Sequence, residues 1–133
     1  MAWLFDDPTT VAKDYYRRTG IFPIMHVVGI RKELAEQNRW LPAADFKAFG
    51  ESKSKALELL ADTSATKVTL PIVEEQLKAA RETLGNDFWS YGVEPNRKTI
   101  EAFLHHHHAQ GLSCRKVGLD ELFHPSTYES YSI

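Results

Sequence analysis

The stretch GIFPIMHVVGI, residues 20–30, is almost wholly apolar and rich in branched side chains, with Gly20 and Pro23 at its start. An apolar run this short, bounded in this way, predicts a buried β-strand over about 21–30 rather than a helix. Alternation along such a strand puts His26 on the same side as Ile24, Val28 and Ile30. A buried strand must pair its backbone N–H and C=O groups with a neighbour, and no other segment reads as a convincing partner. The expected class is therefore α/β but mostly helical, with one main strand and about five helices. The sheet is expected to be supplied from elsewhere: by residues of a longer relative, by short segments such as residues 3–5, or by a second copy of the chain.

Outward from this stretch the pattern is helical. Asp7 before Pro8 reads as an N-cap and first helical position, and Val11, Ala12, Tyr15 and Tyr16 form a stripe that stops at Gly20, predicting a helix over 8–19. A short helix follows from 31 to about 37. Pro42 opens a longer one, in which Phe46, Phe49, Ala56, Leu57 and Leu60 recur at helical spacing and Gly50 weakens the middle. A polar connector over 62–66 leads to a helix starting at Pro71, with Val73, Leu77, Ala80 and Leu84 on one face and Gly85 as its stop. Residues 86–91 form an aromatic turn. Asn96 then reads as the cap of a helix carrying Ile100, Phe103 and Leu104 and ending at Gly111, and a last short helix covers about 119–123, before Pro125. No repeat or long linker divides the 133 residues, so one unit is expected.

Composition narrows the function classes. With 43% hydrophobic and 11% aromatic residues the chain is too apolar for a disordered segment. Sixteen Lys and Arg interspersed with eighteen Asp and Glu provide no basic stripe, which argues against a nucleic-acid partner. The single Cys114 has no thiol partner, which fits a reducing compartment. The apolar start, residues 1–5, runs directly into Asp6 and Asp7 and lacks the form of a signal peptide, and no run approaches membrane-spanning length. A cytoplasmic location without membrane association is the expectation.

Two stretches resemble a known family. Residues 15–31 (YYRRTGIFPIMHVVGIR) and 86–112 (NDFWSYGVEPNRKTIEAFLHHHHAQGL), with the ELF at 121–123, are similar to the carboxyl-terminal part of 4,5-dihydroxyphthalate decarboxylases. The resemblance implies a type II periplasmic-binding-protein-like fold, in which two α/β lobes close over a ligand. On it, residues 1–19 correspond to a remnant of the second lobe, 20–30 to a crossover strand and 31–133 to helices of the first lobe. It further implies an aromatic dicarboxylate as substrate, conversion of 4,5-dihydroxyphthalate to protocatechuate and carbon dioxide, and no redox cofactor. Family members are longer, so activity is expected only if further sequence or self-association, as a homo-oligomer, completes the site. The alternatives are a module of the same fold that binds an aromatic acid without turnover, and a remnant that only associates.

Such chemistry needs a proton donor over the ring, cations for the carboxylates and exclusion of water. His26 is the candidate donor, because imidazole titrates near neutrality; the competing role is a core histidine. Arg17 and Arg18 end the first helix, where carboxylate binding competes with compensation of the helix dipole. Arg31 is placed to flank a cleft mouth or to face solvent. Asn96 and Arg97 open a helix, where backbone amides attract anions; the competing role is a cap with a solvated cation. Phe88, Trp89 and Tyr91 read as packing. Of the run His105 to His108, only His105 and His108 share a helix face, and no metal site is expected.

Overall fold

The computed structural model describes residues 3–64 and 70–128. Six α-helices and one 3-10 turn make up the regular structure, and no strand occurs among the described residues. The helices are α1 (Pro8–Thr19), α2 (Lys32–Gln37), α3 (Leu41–Ala61), α4 (Val73–Leu84), α5 (Val93–Ala109) and α6 (Leu119–Leu122); the 3-10 turn is Pro125–Thr127. The mostly helical expectation therefore holds, whereas the strand over about 21–30 is not formed.

Local chemistry accounts for the helix ends. Thr10 donates to Asp7 from its backbone N–H (3.1 Å) and its hydroxyl (2.6 Å), occupying donors that a first turn leaves open. These two bonds hold the Asp7 carboxyl below the ordinary carboxylate range, the hydroxyl contributing most. At the other end Gly20 adopts φ +65°, which lets its N–H return to the Tyr16 carbonyl at 2.6 Å. α3 continues unbroken through Gly50. α4 begins two residues later than the Pro71 reading, because Ile72 turns the chain at φ +66° and its carbonyl accepts the first bond, from Gln76. The connector at 62–66 is described only to residue 64, where Asp62 Oδ1 accepts from the Ser64 backbone and hydroxyl. Its residues 65 and 66 lie outside the described residues.

α5 carries the main core. Val93, Ile100 and Leu104 are buried on one of its faces, and Val117, Leu119, Phe123 and Tyr128 pack on them. The Glu94 N–H donates to the Tyr128 carbonyl at 3.1 Å, tying the start of α5 to the last described residue. α4 touches both α1 and α3, with Leu77 buried on its inner side, and α3 also meets the 3-10 turn. α6 is fastened electrostatically. Arg115 donates in a fork to Glu121 (2.8 and 2.5 Å), and the Gly118 N–H donates to the same carboxylate at 2.8 Å.

Those partners, Arg115 first and Gly118 second, bring the Glu121 carboxyl from its ordinary 4.5 to about 2. A proton thus binds the unfolded turn more readily than the folded one. The contribution of this clamp is complete above about pH 4.5 and is lost as pH falls from there toward 2. The Gly118 amide resonance, followed by NMR through an acid titration, is expected to shift with a midpoint near 2. A midpoint near 4.5 would show that the clamp does not form in solution.

Residues 20–31 connect α1 and α2 without regular structure. A strand is held by a ladder, and the described part of this chain offers no neighbour for one. Alternation therefore has no physical basis here, and Ile24, Met25, Val27 and Val28 are all exposed, Val27 at 73%. Trp3, Leu4 and Phe5 are likewise exposed. This composition suits burial that the described helices do not supply.

Candidate functional site

A pocket of about 310 Å³ lies between α3 and the aromatic turn after α4, lined by Phe49, Lys53, Leu57, Phe88, Trp89 and Tyr91 among others. Its one charged wall residue, Lys53, shares a helix face with Phe49 and Leu57, four residues on either side. That placement draws its side chain inward, to 18% exposure. A half-buried ammonium requires compensation. Lys53 Nζ donates to Asp87 Oδ1 at 2.8 Å and to the Trp89 carbonyl at 3.2 Å, and lies 4.9 Å from the centre of the Tyr91 ring.

The turn that supplies these partners is itself locked. Asn96 donates from its amide to the Ser90 and Gly92 carbonyls (3.0 and 2.9 Å) and accepts from the Ser90 hydroxyl at 3.1 Å. Asn96 therefore does not cap α5. The helix starts three residues earlier, at Val93, and the Asn96 amide points back to fix the turn. Phe22 meets Trp89 edge to face at 6.2 Å, bringing the 20–31 segment to the pocket's rim.

The structure does not gather the residues read from sequence into one site. His26 is exposed in the 20–31 segment, with no hydrogen bond from the described residues. Arg17 pairs with Asp14 at 3.0 Å on the solvent side of α1. Arg18 and Arg31 are exposed and carry no ion pair among the described residues. Arg97 does not open α5 but lies in its second turn, where it pairs with Glu94 and with Glu101 (3.3 Å). These carboxylates raise the Arg97 pKa further, Glu94 contributing most. The Lys98 ammonium instead approaches Gly20, where a Cβ would lie 3.5 Å from it; this places a cation near the carbonyl end of α1.

The histidine run occupies the last turns of α5. The His105 and His106 rings meet edge to face at 5.3 Å, and His108 Nδ1 bonds with the Ser113 carbonyl at 3.2 Å. Among the described residues no group of three or more His, Cys, Asp or Glu is arranged to hold a metal ion. No helix among them is long and apolar enough to cross a membrane.

Lys53 was not among the residues read from sequence. The available signal was its position in the stripe of Phe46, Phe49, Ala56, Leu57 and Leu60, where a cation interrupts an otherwise apolar face.

No family model matches the chain. The 4,5-dihydroxyphthalate decarboxylase of Comamonas testosteroni is 53% identical to it over 131 residues, or 98% of the chain. The chain is a relative of the 4,5-dihydroxyphthalate decarboxylase family. It spans 40% of the length of the Comamonas testosteroni decarboxylase. The family likeness thus extends across both quoted stretches, the 20–31 segment with His26 included, and across all the residues that line the Lys53 pocket.

Proposed function

We propose that this chain is part of the machinery of an aromatic-acid decarboxylase, a carbon-carbon lyase that converts 4,5-dihydroxyphthalate to protocatechuate and carbon dioxide. The observation that carries this reading is the 53% identity over 98% of the chain to a protein of that name. In the reaction, a ring hydroxyl para to the departing carboxylate pushes electrons toward the carbon that bears it. A general acid protonates that carbon, the bond to the carboxylate breaks, and carbon dioxide leaves with the ring's aromaticity restored. Proton in and carbon dioxide out balance the step without a redox cofactor.

His26 is the proposed proton donor, and its exposure leaves it accessible to a substrate. Arg18 and Arg31 are the better placed of the predicted cations for the two carboxylates, since the charges of Arg17 and Arg97 are engaged by acidic neighbours. The reading includes a type II periplasmic-binding-protein-like fold in which residues 1–19, 20–30 and 31–133 contribute to two lobes and the crossover between them. The exposed apolar segment supports it, because docking onto a sheet would bury that surface and pair its backbone. The same exposure supports completion by further polypeptide or by a second copy, in the cytoplasm, before turnover. It also favours a second reading, in which the chain associates or binds an aromatic acid without chemistry.

The test is protocatechuate formation from 4,5-dihydroxyphthalate by the purified chain, beside its His26→Ala variant, with the Comamonas testosteroni decarboxylase as positive control. Turnover that the substitution abolishes is expected if the chain assembles a site around His26. No turnover beside an active control means that the chain by itself assembles no complete catalytic site. A rise in melting temperature with the substrate then separates binding from association alone.

A further inference from the structure

We propose that the Lys53 pocket is a binding site for an aromatic carboxylate: the ring enters between Phe49, Phe88 and Trp89, and a carboxylate takes the Lys53 ammonium in place of Asp87. The proposal deepens the decarboxylase reading, from which the choice of a benzene dicarboxylate as probe is taken.

Three observations converge on this chemistry. Four of the eight lining residues, Phe49, Phe88, Trp89 and Tyr91, are aromatic, and a volume of about 310 Å³ is at the small end of ligand pockets, suited to a single substituted ring. Lys53 brings one positive charge to those walls at 18% exposure, where a less polar environment strengthens its attraction for an anion. Its present carboxylate partner, Asp87, is 59% exposed and comes from a turn rather than a helix, so water can take over that partner when a ligand arrives. Asp87 is then a stand-in for the ligand carboxylate, while the Trp89 carbonyl and the Tyr91 ring keep the ammonium in place during the exchange.

Phe22 gives the pocket a connection to the candidate proton donor. Its contact with Trp89 anchors the segment that carries His26, four residues further on, at the rim. A ring seated against Trp89 therefore lies beside the anchored end of that segment.

The experiment is a titration of the full chain with phthalate, which has no ring hydroxyl to drive decarboxylation and so reports binding independently of turnover. Trp89 fluorescence is the readout, in a background with Trp3→Phe and Trp40→Phe, both of which replace exposed residues. Saturable quenching is expected, with binding at least tenfold weaker for cyclohexane-1,2-dicarboxylate, which has the charges without the flat ring. Lys53→Met is expected to weaken phthalate binding at least tenfold. Asp87→Asn, by removing the competing carboxylate, is expected to tighten it several-fold. If Lys53→Met fails to fold, the Asp87→Asn result decides alone.

Absence of quenching, equal binding of the non-aromatic diacid, or weaker binding by Asp87→Asn would overturn the proposal and leave Lys53 as a clamp between α3 and the turn. Protocatechuate formation can fail while phthalate binds here, and phthalate can fail to bind while the decarboxylase assay succeeds. The two readings therefore fall separately.

Discussion

Leu104→Ala is expected to destabilise the chain by about 2–5 kcal/mol, the range for truncating a buried leucine that neighbours cannot replace. Leu104 is 8% exposed and shares its face of α5 with Ile100 and Val93, the latter 2% exposed. Four elements or residues converge there: Val117, α6 through Leu119, Phe123, and Tyr128. Val93, Ile100 and Leu104 are, with Leu77 and Pro42, the buried apolar residues among the described ones, so little other core is available to absorb the loss. Against a total stability of about 5–15 kcal/mol, typical of a domain, the change should lower the urea midpoint and the melting temperature strongly. Leu104→Met keeps the volume and is expected to cost under about 1.5 kcal/mol. Equilibrium urea unfolding followed by circular dichroism compares the two. Equal, small effects from both would mean that the α5 cluster does not hold the carboxyl-terminal elements.

Gly85→Ala is expected to cost about 1–3 kcal/mol, although an added Cβ would meet nothing within 4 Å. The cost is conformational. Gly85 has φ +91° and ψ 177°, a region essentially closed to side-chain-bearing residues. This turn ends α4, accepts the chain's change of direction and delivers Phe88, Trp89 and Tyr91 to the pocket, so the substitution should also weaken whatever that pocket binds. Gly50→Ala is the internal contrast. It too adds a methyl group to open space, but in the middle of α3, where alanine is expected to stabilise by about 0.5–1 kcal/mol. Thermal unfolding of both variants should give opposite signs for the same chemical change. A neutral Gly85→Ala would mean that the turn takes up another conformation at little cost.

Most of the helical layout was legible beforehand. Asp7 and Pro8, Pro42, Gly85 and the stripes of α3, α4 and α5 act over one to four residues, and so does the hydrogen bonding of a helix. The reading failed where a local signal has two uses. Asn96 has the chemistry of a cap, but its amide bonds backward to Ser90 and Gly92, because α5 had already begun at Val93. Arg97, a candidate anion ligand whose competing role was a solvated cation, pairs with Glu94 and Glu101 on its own helix. That i, i+3 and i, i+4 spacing was visible in the sequence and favoured the solvated alternative.

By itself, then, the sequence determined most of the helices, the ends at Asp7, Gly20 and Gly85 and the family likeness, since each is written in short-range pattern or in residue identity along the chain. Tertiary structure alone decided two things. It made Lys53 a pocket residue, through partners thirty-four and thirty-six positions away that no helical periodicity can reveal. It also left residues 20–31 without the ladder their composition invites, because a strand is a property of two segments: branched side chains favour the extended backbone, and only a neighbouring edge can supply its hydrogen bonds.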